Sequence, residues 1–540
     1  MIELILIPLA LAFGTFMMRL PFALTRTGDD WMSEYMVRNQ IRRSFNYDLE
    51  DATVPSYVGY PVLQYWILSK FRNEIRSKVA MLANAFYDAI TCILLFSLAY
   101  WWFSLGQEHA RAVLSAAAVG LLFVTSPLLL PTTPRLSGIK SRSLGLMFLF
   151  AYFVSILAVF QTGDPVFYGA VVVFGIGVLI SSQMAIQAMF LFAPVMAAAM
   201  WSPIPLYALG AALGVGLAIP KLGVAKILTM RWHHMRWYIR NLRVTVPSGR
   251  NKLVDVLSLP KDLFTNFPKA LATLLFRNSI FIALLSAPEL VFLIVLLAGK
   301  LSASDFTQVP ILASLPLHEK FALSVLAGGI FAFALTSLRA FLFIGEAERY
   351  LEFTQPFMAI AVVSAAGDDI QAWSILAGLV GFRIAICYLN HYYAVSGQYR
   401  KAFAPLGENK NVKDILDRLR KIRDEEGEIR VLTLPVKLSF LLSAELGDPR
   451  IKFHHLWMIA KSGGQGFEYM ERDFPGYLLP RVDLEYFAKN YRIYYFVVEK
   501  RGLVPQLVER LANYPCVYQN DAFAILVTIP RSAIEKQRPV

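Results

Sequence analysis

The sequence predicts a polytopic α-helical membrane protein of about eleven spans, followed by a small C-terminal α/β soluble domain. Three observations predict it. The 540 residues are 56% hydrophobic, with a mean hydropathy of +0.50 and 17% charged residues, where soluble domains carry roughly a quarter. Apolar runs near the roughly 20 residues needed to cross the hydrocarbon recur from residue 2 to about residue 390. Beyond Asn390 the character changes to charged amphipathic and short β-like segments.

In chain order the expected spans are 2–18, 79–104, 112–130, 144–160, 166–181, 183–202, 204–219, 272–298, 321–344, 355–367 and 372–390. The first has no basic stretch before it and reads as a retained span, not a cleaved signal. Pro and Gly punctuate the segments between 166 and 219, and 355–367 is short for a full crossing. The boundary at 390 separates a membrane domain, 1–390, from a soluble domain, 391–540. In the latter, "KDILDRLRKIRDEEGEIR" has the spacing of an amphipathic helix. Strands are expected at Val431–Leu434, Ile493–Val498 and Phe523–Ile529, with the helical stretch "LVPQLVERL" between the last two.

With this count the loops sort into two sets. Odd-numbered spans lead into charged loops, 19–78, 131–143, 220–271, 345–354 and the C-terminal domain, whereas even-numbered spans lead into short turns such as 105–111, 161–165 and 368–371. One face of the membrane therefore carries nearly all the polar residues. A net charge of +13 has two readings: the ordinary cytoplasmic bias of basic loops, or an anionic ligand such as a lipid phosphate. Cys92 and Cys387 lie in apolar runs and Cys516 in the soluble tail, with no spacing that suggests a disulfide framework or zinc.

The residues suited to chemistry lie on the polar face. Asp29 and Asp30 put two carboxylates just past the first span. They can serve as a general base, or simply begin the helix that starts near Trp31. Gly59–Phe71, which contains Tyr60 and Pro61, reads as an interfacial amphipathic helix or as a plain connection to the second span. Arg135, Lys140 and Arg142 can clamp a phosphate or act as topogenic charge.

Between 221 and 252, Arg231, Arg236, Arg240 and Arg243 interleave with Trp232, Trp237 and Tyr238, a pattern that favours anionic lipid headgroups over nucleic acid. The adjacent His233 and His234 point to different sides of a helix and make a poor metal pair. In "GEAERYLEFTQP", Glu346, Glu348, Arg349 and Glu352 form an ion-pair cluster or helix cap, or Arg349 and Tyr350 reach a phosphate. Asp88, Arg277, Glu289, Arg339 and Arg383 fall inside apolar segments and should face protein or the interface.

The order of these motifs resembles the GT-C-fold glycosyltransferases, polytopic enzymes related to the protein O-mannosyltransferases and the lipid A aminoarabinose transferase. "GDDWMSEYMVRNQI" is similar to the family's first extracytoplasmic loop, with Asp29 and Asp30 at its acidic pair and Tyr60–Pro61 at its "YP". The Asn in "VAMLANAFYDAITCILLFSLAYWW", and Arg349, Tyr350 and Pro356 in "AERYLEFTQPFMAIA", also match. Lys140-Ser141-Arg142 departs from the carboxylate that many relatives carry before the fourth span.

The resemblance implies transfer of a sugar from a polyprenyl-phosphate donor to a glycan, lipid or protein acceptor, with membrane lipids around it and no nucleic acid. Asp29 or Asp30 would be the base. With the cations read from the loops themselves, Tyr60, Arg135, Lys140, Arg142, Arg231, Arg236, Glu346, Arg349 and Tyr350 would bind substrate, and a metal cofactor is not favoured over none. It also implies a cytoplasmic membrane location with the working face and the C-terminal domain outside, opposite to simple positive-inside counting. The alternatives are a transporter or flippase, or a polymerase or ligase, of lipid-linked glycans. A non-catalytic scaffold explains the clustered acid and cations less well.

Overall fold

The structure, a computed structural model, describes residues 2–23, 30–126, 139–245, 253–272, 280, 283–284, 287–302, 315–345, 347–395, 409–435, 438–455, 459–460, 483–501, 503 and 505–528. Helices α1 (Glu3–Ala23) and α2 (Asp30–Arg42) precede strands β1 (Asp48–Leu49) and β2 (Ser56–Tyr57) and helix α3 (Leu63–Ser69). Then come α4 (Asn73–Ser104), α5 (His109–Val124), α6 (Arg142–Thr162), α7 (Pro165–Ser181), α8 (Gln183–Met200), α9 (Ile204–Ala218) and α10 (Val224–Thr245). The helical part continues with α11 (Leu253–Thr265), α12 (Phe267–Ala272), α13 (Pro288–Ser302), α14 (Leu317–Ser337), α15 (Glu348–Ala366) and α16 (Ile370–Val395). The remainder comprises α17 (Lys410–Glu426), β3 (Ile429–Leu434), α18 (Leu438–Leu446), β4 (Ile451–Phe453), β5 (Ile459–Ala460), α19 (Leu484–Tyr491), β6 (Tyr495–Glu499), α20 (Pro505–Leu511), β7 (Cys516–Gln519) and β8 (Phe523–Val527).

These elements form two compact units, each discontinuous in sequence. One comprises Met1–Thr25, Ser77–Val224 and Thr245–Arg400; the other comprises Arg26–Arg76, Ala225–Val244 and Lys401–Val540. The sequence places a single boundary at 390. The structure instead gives the first polar loop and the basic helix α10 to the same unit as the C-terminal segment.

The first unit is a helical bundle. Among the described residues, five helices are long and apolar enough to cross a membrane: Glu3–Pro21, Asn73–Ser104, Arg142–Thr162, Gln183–Met200 and Leu317–Ser337. His109–Val124, Pro165–Ser181 and Ile204–Ala218 are apolar but shorter, whereas the apolar stretch Ile370–Ala385 is the first part of α16, which runs on to Val395. At about 1.5 Å per residue the first three fall short of a hydrocarbon core of about 30 Å, and the 26-residue α16 does not. The sequence predicts about eleven spans; among the described residues these five helices and the long helix α16 are of crossing length. Residues 355–366 lie within α15, which begins at Glu348 and takes in the charged "ERYLEF".

Small residues set the helix spacing, as expected where apolar association lacks a hydrophobic driving force. A Cβ on Gly145 would lie 2.3 Å from Ser182 Cβ, and one on Gly329 would lie 2.1 Å from Thr354 Cγ2. Phe153 stacks on Phe192 with centroids 6.0 Å apart and also meets Phe357 edge-on.

The last carbonyls of α5 are orphaned by geometry and are met by side chains from three other helices. Arg19 Nη2 donates to Phe123 O at 2.9 Å, and Arg19 Nη1 donates to Val124 O. Arg383 Nη1 and Gln355 Nε2 donate to Leu122 O at 2.9 and 3.2 Å. Cations at a helix C-terminus also complement its dipole. Each arginine has a buried counter-charge: Asp88 Oδ2 lies 3.3 Å from Arg19 Nε, and Glu289 pairs with Arg383. Asp88, Glu289 and Arg383 therefore face protein. Arg277 and the side chain of Arg339 lie outside the described residues.

The second unit is built on a five-stranded sheet of order β4-β3-β6-β8-β7. Strand β3 pairs in parallel with β4 and β6, whereas β8 runs antiparallel to β6 and β7. Helix α17 buries Val412, Ile415, Leu416, Leu419 and Ile422 against it, the i, i+3, i+4 stripe of an amphipathic helix. Asn409 caps its start by accepting from Asn411 N. The first polar loop joins the sheet edge: Phe453 N donates to Asp51 O at 2.6 Å, and Thr53 N donates to Phe453 O at 3.0 Å. A small second sheet, β1-β2-β5, completes the attachment.

Candidate functional site

Within the second unit the first loop is organised by α2. Asp30 opens this helix and is 2% exposed; a carboxylate at that position complements the free N–H groups and the dipole. Trp31 packs against the apolar core of the five-stranded sheet. Further along, Tyr35 meets the Phe440 ring at 5.6 Å, Arg38 reaches Glu445 at 3.6 Å, and Arg42 donates to Gly447 O. The contacts run in the same order along α2 and α18, so the two helices lie parallel with their N-termini together. Strand β3 delivers its chain to that end of α18. Carboxyl ends of parallel strands are where open α/β sheets usually present side chains for chemistry.

Asp51 sits at the centre of this attachment. Its buried carboxylate accepts from Tyr35 Oη at 2.5 Å and from Ser443 Oγ, and lies 3.3 Å from His455 Nε2. The other ring nitrogen, His455 Nδ1, is 3.1 Å from Ser439 Oγ. Burial alone would raise the Asp51 pKa. The His455 charge and hydrogen bonds from His455, Ser443 and Tyr35 outweigh it and bring the carboxyl down to about 2. His454 faces the other way, against Phe487 and Tyr491. Burial, then repulsion by His455, pushes its pKa down to about 3.

The basic helix α10 is anchored on the same loop. Lys226 Nζ lies 3.2 Å from Asp48 Oδ1 and sits over the Tyr47 and Tyr57 rings at 5.8 and 5.5 Å. Gly59 backs directly onto α10: an added Cβ would be 2.0 Å from Met230 Cβ and 3.0 Å from Lys226 O. Tyr60, next in the chain, is partly buried, as is Arg231, while Arg236 is exposed. Arg231 Nη1 is 3.3 Å from His234 Nδ1. Desolvation, then Arg231, lowers the His234 pKa to about 3, so the imidazole is neutral at pH 7 and can accept from the guanidinium. The structure thus brings Asp30, Tyr60, Arg231 and Arg236 into one folded unit.

In the membrane unit, Arg142 starts α6 and lies 3.6 Å from the buried Glu352 of α15. Arg142 and Glu352, two sequence candidates far apart in the chain, therefore meet. Lys140 and Arg349 are partly buried nearby in sequence. The buried Tyr350 hydroxyl donates to Ile344 O at 3.2 Å, and Gln187 Nε2 donates to the same carbonyl. That hydroxyl holds the turn before α15. Asp29, Arg135 and Glu346 lie outside the described residues. Among the described residues no group of three or more His, Cys, Asp or Glu side chains is arranged to hold a metal ion.

The sequence matches no family model and no curated protein. The chain is similar to two crystal structures of the Archaeoglobus fulgidus oligosaccharyltransferase. One is the apo form, at TM-score 0.47; the other is tethered through a disulfide bond to an acceptor peptide containing the NVT sequon, at TM-score 0.44. Each alignment covers 91% of this chain and 69% of that chain at 14% identity.

Sequence reasoning missed the Asp51, Tyr35, Ser443 and His455 constellation. No motif spacing announces it, because Ser443 and Asp51 are 392 residues apart in the chain. The Arg19–Asp88 and Arg383–Glu289 pairs were half visible, since charge inside an apolar run demands a partner but does not name it.

Proposed function

We propose that this integral membrane protein is a GT-C-type glycosyltransferase. It moves a sugar from a polyprenyl-phosphate donor to a glycan, lipid or protein acceptor at the extracytoplasmic face of the cytoplasmic membrane. The observation that carries the reading is the joining of the acidic first loop to the basic helix α10 through Lys226–Asp48 and Gly59–Met230. The motif resemblance is centred on that same loop. In the reaction the acceptor loses a proton to a carboxylate, its oxygen or nitrogen forms a bond to the sugar's anomeric carbon, and the bond to the carrier phosphate breaks. Polyprenyl phosphate leaves with the electron pair.

Asp29 is the first candidate base, with Asp30 beside it, and the developing charge on the phosphate calls for guanidinium stabilisation. Arg231 and Arg236 are the cations of the same unit suited to that task, and Tyr60 follows Gly59, which backs onto Lys226 and Met230 of the same helix. Lys140, Arg142, Arg135, Glu346, Arg349 and Tyr350 remain candidate substrate contacts of the membrane unit, with Arg142 already balanced by Glu352. No metal takes part in this scheme.

The test is to incubate the purified full-length protein in liposomes with a radiolabelled polyprenyl-phosphate sugar and a mixed acceptor fraction. Release of one polyprenyl monophosphate per sugar transferred is expected. Transfer only from a polyprenyl-diphosphate-linked sugar supplied in a parallel incubation, with release of the polyprenyl diphosphate, would favour a polymerase or ligase, and intact donor moved between leaflets would favour a flippase; either result contradicts the proposal.

A further inference from the structure

Asp51 belongs to none of the sequence motifs, yet it is among the most heavily bonded buried carboxylates of the described residues. Its backbone is fixed to the β4 edge through Phe453 N and, one residue on, through Thr53 N. Its side chain gathers three elements: Tyr35 from α2, Ser443 from α18 and His455 from the end of β4. The His455 ring is in turn wedged by Phe440, stacked at 4.9 Å and 16°, and by Phe453 at 5.9 Å. The aromatic walls and the Ser439 contact leave the imidazole little freedom to rotate. Tyr35 therefore bonds to an anchor that cannot drift, and Tyr35 lies a little over one turn beyond Asp30 on the same helix.

We propose that Asp51 is a positioning residue: through Tyr35, and with His455 and Ser443, it fixes the rotation and height of α2 and hence the placement of the Asp30 carboxylate. The C-terminal sheet is then part of the catalytic apparatus, not an appendage. The Arg38–Glu445 and Arg42–Gly447 contacts further along α2 are exposed or partly exposed and hold the far end of the helix more loosely. The inference rests on the sugar-transfer reading for its consequence in catalysis, but its structural half stands on contacts within one unit.

The experiment uses the full-length protein with Tyr35→Phe and Ser443→Ala, each of which removes one hydroxyl from Asp51 and leaves the Asp51–His455 pair intact. Hydrogen–deuterium exchange should rise over residues 30–42 while staying unchanged over 429–434 and 495–499. Against the polyprenyl-phosphate sugar, kcat should fall about tenfold or more with KM within about twofold, as displacement of a catalytic group predicts. Ser443→Thr, which restores the hydroxyl, should restore kcat.

Unaltered exchange over 30–42, or a loosened helix with unchanged kcat, would overturn the inference. So would equal loosening of the strands, which would mark Asp51 as a general stability element. If the wild-type protein transfers no sugar, the enzymatic reading falls by itself, and the exchange result still decides whether Asp51 holds α2.

Discussion

Asp51 and His454 show how burial and partners divide two neighbouring titratable groups in the second unit. The carboxyl of Asp51 is held at about 2, below its ordinary 3.8. Its stabilising contribution is therefore complete above about pH 4 and is lost as pH falls through 2. His454 is held at about 3, below the ordinary 6.5. Below pH 6.5 the unfolded chain takes up a proton that the folded chain refuses, so stability falls from pH 6.5 toward 3, by about 1.4 kcal/mol per pH unit.

We expect His454→Asn to reduce the pH dependence of thermal unfolding between pH 6.5 and 4, leaving the share that His234 contributes in the same window and the steeper loss below pH 4. An unchanged slope in the upper window would mean that His454 is not the buried neutral imidazole described. None of this was readable from sequence, because the environments of both residues are assembled from segments far apart in the chain.

At the scale of elements, the amphipathic helix α17 was legible because its apolar spacing is local and its stop is a glycine: Gly427 takes φ +85°. The observed strands Ile429–Leu434, Tyr495–Glu499 and Phe523–Val527 lie where β-rich runs alternate with helical ones, also a local signal. Helix α10 was legible as a basic aromatic helix but not as a partner of the first loop. That pairing depends on Gly59, whose missing side chain lets two backbones approach.

Gly59→Ala tests it, because the added methyl meets Lys226 O as well as Met230, and a backbone oxygen cannot move aside alone. The expected cost is about 1–3 kcal/mol, seen as a lower unfolding temperature together with faster amide exchange in 225–236. Wild-type protection there would show that α10 does not need the close approach.

At the scale of the whole molecule, composition announced a membrane protein at once, whereas helix length sorts the apolar segments more finely than hydropathy does. Several apolar segments make helices of 15 to 17 residues, and hydropathy alone does not separate these from full crossings. The division of labour was also hidden: a boundary near 390 follows composition, whereas folding sends 26–76 and 225–244 to the C-terminal sheet. Contacts of high sequence separation decide that assignment.

Polar residues of the first loop thus share a scaffold with an α/β sheet. The buried charges of the membrane unit are paired within it: Arg19 with Asp88, Arg383 with Glu289 and Arg142 with Glu352. The most direct measurement is sugar transfer by Asp29→Asn and Asp30→Asn in protein that reaches the membrane at wild-type level and unfolds at the wild-type temperature. A general base contributes on the order of 10²- to 10⁴-fold, so at least one of the two variants should lose that much activity. Near-normal transfer in both would remove the base from the first loop and contradict the account.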